Sequence, residues 1–168
     1  YYWVRAATDD TGERVGSLSA AEVGHRGVAQ PTGILASTGN ADNVTIAWDP
    51  VEGGSFYRVY RSHTDDATTA IAISSWQSST VFVDLTADPG QSLFYWVRAA
   101  GNQVGEHGSD VSAVTSGHQG LSSPANVVAS AGNLDQIELG WDPVDGATRY
   151  LIFRGTNLDP TLAVEMGE

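Results

Sequence analysis

Residues 43–62 read NVTIAWDPVEGGSFYRVYRS, and the fold turns on this stretch. Val44, Ile46 and Trp48 alternate with Thr45 and Ala47, so apolar side chains recur at a period of two, as in a strand with one buried face. Asp49-Pro50-Val51-Glu52-Gly53-Gly54 then breaks the run, because proline fixes φ and withholds a donor while glycine reaches the conformations of a tight turn. Beyond it the alternation resumes, with Tyr57 and Val59 on one side and Phe56, Arg58 and Tyr60 on the other. Two such runs joined by a turn predict antiparallel strands.

Working outward, the pattern repeats. Ile34 and Ala36 face inward on a first strand. Residues 69–75 form a short strand, and residues 80–85 another with Phe82 inward. Pro89-Gly90 breaks the chain before a long strand carrying Leu93, Tyr95, Val97 and Ala99 inward, and residues 111–115 form the last strand. No segment carries a helical stripe, so the expected class is all-β, an antiparallel sandwich of two sheets.

The chain also repeats itself. YWVRAA occurs at residues 2–7 and at 95–100, an offset of 93 residues from Trp3 to Trp96. The same offset carries Pro31 to Pro124, Trp48-Asp49-Pro50-Val51 to Trp141-Asp142-Pro143-Val144, Tyr57 to Tyr150, Arg61 to Arg154 and His25 to His118. A period near a hundred residues suits a seven-stranded sandwich and is too long for a helical solenoid. The reading is therefore three units: residues 1–27 as the last part (strands F and G) of one repeat, 28–120 as a complete repeat, and 121–168 as the first part (strands A to C′) of another. The two partial units are expected to form one interrupted sandwich, within an array or with a neighbouring copy by strand donation. Tyr1, Tyr2 and Trp3 read as mid-strand, so a longer polypeptide is expected around this portion.

Composition narrows the function classes. Apolar residues make up 41% of the chain and five are Trp, enough for a packed core. With 20 acidic and 8 basic residues the net charge is −12, a field that repels phosphate backbones and anionic lipid, so neither nucleic acid nor membrane insertion is expected. There is no Cys, hence no disulfide and no thiolate chemistry.

PTGILASTGNADNVTIAWDPVEGGSFYRVYRS (residues 31–62) and DLTADPGQSLFYWVRAAG (84–101) resemble the fibronectin type III modules of large bacterial secreted and surface proteins. The resemblance rests on the strand B Trp (Trp48, Trp141), the strand C Tyr (Tyr57, Tyr150) and the Pro-Gly step into an aromatic strand F. It implies an immunoglobulin-like (fibronectin type III) β-sandwich in tandem repeats of 93 residues, with Trp48, Tyr57, Tyr95, Trp141 and Tyr150 in the core. One position departs: the corner tyrosine expected four residues after Pro89 is Leu93, which leaves a backbone group in need of another donor.

No catalytic, metal or cofactor-binding residues are assigned. The four histidines, His25, His63, His107 and His118, fall in loops or linkers, with no nucleophile motif around any serine. Asp9-Asp10, Asp65-Asp66 and the group Asp42, Asp49 and Glu52 are open to Ca²⁺ in principle, but ordinary turn chemistry accounts for them. Asn43-Val44-Thr45 fits a glycosylation sequon. The candidate interaction face is the outer side of strands C and F: Phe56, Arg58, Tyr60, Phe94, Trp96 and Arg98. Three readings stand: an intrasheet ladder of rings and guanidinium groups, a docking surface for a neighbouring module or subunit, and a sugar platform. The functional expectation is a non-catalytic structural or interaction module of an extracellular or cell-surface repeat protein, a filament or adhesin subunit, with linkers such as Gly117-His118-Gln119-Gly120. Its partners would be neighbouring repeats or copies of the same chain, with carbohydrate as a further candidate. The alternative is an accessory spacer of a secreted polysaccharide-degrading enzyme.

Overall fold

The computed structural model describes residues 1–167. Among the described residues fourteen strands follow in order: β1 (Arg5–Ala7), β2 (Val15–Leu18), β3 (Leu35–Ala36), β4 (Thr38–Asn40), β5 (Val44–Ala47), β6 (Phe56–Ser62), β7 (Ile71–Ala72), β8 (Val81–Asp84), β9 (Ser92–Ala100), β10 (Thr115–Gln119), β11 (Val128–Ala129), β12 (Leu139–Gly140), β13 (Ile152–Arg154) and β14 (Val164–Gly167).

The central sandwich pairs a three-stranded sheet, β3-β5-β8, with a five-stranded one, β4-β10-β9-β6-β7. Alternation puts Val44, Ile46 and Trp48 from the first sheet against Tyr57, Val59, Leu93, Tyr95, Val97 and Ala99 from the second, all buried in one cluster, with Ile34, Ala36, Ile73 and Phe82 packed at its margin. Trp48 and Tyr57 meet at a ring separation of 5.5 Å and a tilt of 58°. The Tyr57 hydroxyl accepts from Val51 N at 2.9 Å, which ties the turn after β5 to the strand that follows it.

The last strand differs from its expected place. Within residues 111–115 only Val111 bridges Arg98 before regular pairing starts at Thr115, and the strand continues to Gln119. Serine hydroxyls explain the delay. Val97 N donates to Ser112 Oγ at 2.9 Å and Ala99 N to Ser109 Oγ at 3.0 Å, so side chains stand in for ladder partners along residues 109–112. The expected linker is consequently strand: Gly117 and His118 pair with β9, and His118 and Gln119 pair in parallel with β4. Gly117 is needed there. A Cβ on it would lie 2.6 Å from the Ser37 carbonyl oxygen and 2.8 Å from Ala36 Cβ.

The two end segments make their own small sheets, β1-β2, β11-β12 and β13-β14. Among the described residues no strand of residues 1–27 pairs with one of residues 121–167, so one chain does not close the expected interrupted sandwich from its own ends. Local bonding nevertheless recurs at the offset of 93. Leu35↔Ala47 and Ala36↔Ile46 have their counterparts in Val128↔Gly140 and Ala129↔Leu139. Val97 N to Ser112 Oγ is matched by Val4 N to Ser19 Oγ at 3.0 Å. Trp141 and Tyr150 meet at 5.3 Å and 57°, like Trp48 and Tyr57, but both are only half-buried, because no opposing sheet covers them. Expected as core, they lie at the edge of an open face.

Candidate interaction face

The outer side of the five-stranded sheet is set by one register. Across β6 and β9, Arg58 stands opposite Arg98, Tyr60 opposite Trp96, and Phe94 opposite Ser62. Two like charges directly across a sheet repel, and the structure separates them. Arg58 Nε donates to the Ser74 carbonyl at 3.1 Å on one flank, and Arg98 Nε to the Ser109 carbonyl at 2.7 Å on the other. The Arg58 guanidinium also sits 6.0 Å from the Tyr60 ring centre, at the outer limit of a cation–π contact.

These six residues are therefore brought onto one face, but not as an open aromatic stripe. Trp96, expected on the outer side of the sheet, is 4% exposed, and Phe56, Arg58, Tyr60, Phe94 and Arg98 are half-buried. The short 3₁₀ turn Ala67–Thr69 and the residues from Ser109 to Val111 flank the indole and leave a groove of about 530 Å³ with Tyr60, Trp96 and Arg98 in its lining. The polar ends of both arginines are thus engaged by backbone carbonyls, and Arg58 lies beside the Tyr60 ring.

A second constellation escaped the sequence. Asp84, at the end of β8 and 2% exposed, accepts from Arg61 Nη1 at 2.7 Å, from the Tyr95 hydroxyl at 3.1 Å, and from Thr86 N and Oγ1 at 2.9 and 2.8 Å. Arg61 also donates to the Thr86 carbonyl at 3.0 Å. Burial pushes the Asp84 carboxyl up, but the bonds from Arg61 and Thr86 and the Arg61 charge outweigh it and hold the group below the usual carboxylate range. Burial first, then the Asp84 charge, pushes the Tyr95 phenol well above its ordinary value. The network spans the crossover from β8 to β9. With Leu93 in the corner position and fully buried, this network holds the crossover where a corner hydroxyl was missing. Its signal was present in Asp84-Leu85-Thr86, an aspartate two residues before a hydroxyl, and in the Arg61↔Tyr95 register.

The other candidates are more dispersed. The His25 and His107 rings meet at 3.7 Å with a tilt of 32°, and His63 lies 3.8 Å from Asp88. Asp9, Asp66 and Asp159 each accept from a threonine hydroxyl two residues on at 2.7 Å, and these bonds hold the carboxyls low. Among the described residues no three His, Cys, Asp or Glu side chains gather closely enough to hold a metal ion. Asn43 Oδ1 accepts from Thr45 Oγ1 at 3.2 Å at the start of β5. No helix among the described residues is long and apolar enough to cross a membrane.

No family model matches the chain. Human tenascin-N is 28% identical to it over 137 residues, covering 81% of this chain and 10% of that protein. Mouse tenascin-N is 24% identical over 127 residues, covering 74% and 8%. The chain thus spans a tenth or less of the length of these relatives. An Fn3-like protein from Clostridium thermocellum has 24% identity, 53% coverage of this chain and 90% of its own, and a TM-score of 0.47.

Proposed function

This chain folds as a fibronectin type III-like β-sandwich, and from that premise we propose that it is a structural and interaction module of an extracellular or cell-surface repeat protein. Its partners are neighbouring repeats or further copies of the same chain, in a filament or an adhesive array. One observation carries the reading. The end segments reproduce several local hydrogen bonds of the central sandwich at an offset of 93 residues, yet side chains that the central unit buries are exposed in them. Tyr95 and Val97 are 0% exposed, whereas their counterparts Tyr2 and Val4 are 66% and 74% exposed. Val44 and Ile46 are 0% exposed, whereas Ile137 and Leu139 are 70% and 43% exposed.

Burying one such side chain is worth about 1.5–3 kcal/mol, so these faces gain several-fold that by meeting a complementary sheet. The central unit shows what complements them. Transferring its register places Val4 opposite Ile152 and Trp3 opposite Phe153, as Val97 lies opposite Val59 and Trp96 opposite Tyr60. The acidic surface suits a soluble exterior position. Antibodies raised against residues 28–120 should label intact producing cells, and the signal should vanish after external protease. Labelling that appears only after permeabilisation would overturn the extracellular assignment.

A further inference from the structure

Two turns of this chain are copies of one another and differ in what lies outside them. Asp49-Pro50-Val51-Glu52-Gly53 follows β5, and Asp142-Pro143-Val144-Asp145-Gly146 follows β12. Each is held the same way. Val51 N donates to the Tyr57 hydroxyl at 2.9 Å and Val144 N to the Tyr150 hydroxyl at 2.7 Å. Gly54 N and Ala147 N return to the carbonyls of Val51 and Val144, both at 3.0 Å. Gly53 and Gly146 both take left-handed backbone, at φ of 78° and 79°.

Around Gly53 nothing lies within 4 Å of the place a Cβ would occupy. At Gly146 that place is filled by the carbonyl of Pro89, from the turn between β8 and β9 of the central sandwich. The contact is mutual, since a Cβ on Gly90 would lie 3.4 Å from the Gly146 carbonyl oxygen and 3.3 Å from Leu121 Cδ2. Pro89-Gly90 is itself fixed. Pro89 bridges Gln119, and Gly90 N donates to the Gln119 carbonyl at 2.9 Å. Gly120 N in turn donates to the Asn40 carbonyl at 2.8 Å, so the chain leaves the sandwich already bonded to it and beside this turn.

We propose that this contact is a repeating joint between successive 93-residue units. The Pro-Gly turn of one unit seats backbone to backbone on the glycine of the Asp-Pro-Val-x-Gly turn of the next, with the Leu121 side chain alongside Gly90, and so fixes their relative orientation. The open face of Gly53 is the seat for the Pro-Gly turn of a preceding unit. The connection entering the central unit already passes that seat, where Arg26 Nη1 lies 3.9 Å from Glu52 Oε1, next to Gly53. Only glycine fits at the seat, for want of both space and a left-handed backbone tolerant of a side chain. The joint rests on the module reading above and adds that the modules are held at a set angle rather than strung on slack linkers.

The test uses the 168-residue chain, which has no cysteine of its own, with Ser78→Cys and Thr156→Cys carrying spin labels on the central unit and on the following segment. Pulsed electron-electron resonance should give one narrow distance distribution. Gly146→Val should abolish that peak, while Gly53→Val, with the same backbone conformation but an empty seat, should keep it. A broad distribution in the parent chain, a narrow one surviving Gly146→Val, or equal loss in both variants would overturn the joint. None of these outcomes bears on the location of the protein, which surface labelling decides separately.

Discussion

Trp48→Ala should be the most damaging single truncation in the central sandwich, and its size follows from the structure. The side chain is 4% exposed and rests on Tyr57 at 5.5 Å between the two sheets. Removing a buried Trp costs about 3–5 kcal/mol through lost burial and the cavity left behind. One feature moderates the loss. Trp48 Nε1 is buried without a hydrogen-bond partner, and an orphaned donor costs about 1–3 kcal/mol, a penalty that truncation removes. Set against each other the two ranges leave about 2 kcal/mol, and at ~4–8 °C per kcal/mol the melting midpoint should drop by about 8–16 °C. Trp141→Ala supplies the internal control, since that ring has the same neighbour and tilt but lies half-exposed on an open face. Its substitution should lower the central transition, followed by calorimetry and by near-ultraviolet dichroism of the full chain, by much less. Equal shifts for the two variants, or a Trp48→Ala shift within about 4 °C, the equivalent of roughly 1 kcal/mol, would refute burial of Trp48 as the source of stability.

Asp84→Asn should flatten the acid limb of the stability curve. Because the folded carboxyl is held below its unfolded value near 3.9, its contribution is present above about pH 4 and is lost as pH falls through the lower folded value. Urea midpoints measured from pH 7 downward would show this, and a parallel curve for the variant would exclude the network. Ser112→Ala should strip the fully buried Val97 amide of its side-chain acceptor, costing about 1–3 kcal/mol and accelerating hydrogen exchange at Val97. Unchanged protection there would show that the hydroxyl is dispensable. Gly117→Ala should force a methyl against the Ser37 carbonyl and Val44 Cγ1, with an overpacking cost of about 1–3 kcal/mol read as a lowered urea midpoint.

What the sequence conveyed well was whatever period two controls. Val44, Ile46, Trp48, Tyr57, Val59 and the alternating residues of β9 all face where their spacing puts them, because a pleated strand leaves each side chain only two directions. The last strand was less legible. Ser109 and Ser112 are polar residues in an irregular stretch, and nothing in their identity announces that their hydroxyls replace ladder bonds. Gly117-His118-Gln119-Gly120 reads as a linker by composition, but Gly117 is required by crowding from Ala36 of β3, the Ser37 carbonyl and Val44 of β5, a tertiary constraint without a local signal. The candidate face was legible as a set of residues and not as an exposure. Alternation says that Trp96 leaves the core, while the residues that share its groove, around Ala67 and Ser109, are distant in sequence. The Asp84 network joins residues of three strands, Arg61, Asp84 and Tyr95, with Thr86 beyond the end of β8, so its local signal, Asp84 two residues before a threonine, named only part of it.

The parallel pairing of β4 with β10, Thr38 with His118 and Asn40 with Gln119, bears on how such a chain carries load. β4 lies near the beginning of the central sandwich and β10 at its end, so tension applied along the polypeptide drags these neighbouring strands in opposite directions. Their hydrogen bonds, reinforced by Gln119 Nε2 on the Ala41 carbonyl at 2.7 Å, are then strained together as a shear clip instead of parting one by one like a zipper. Tension applied across residues 38–119 therefore loads these bonds in parallel rather than in sequence.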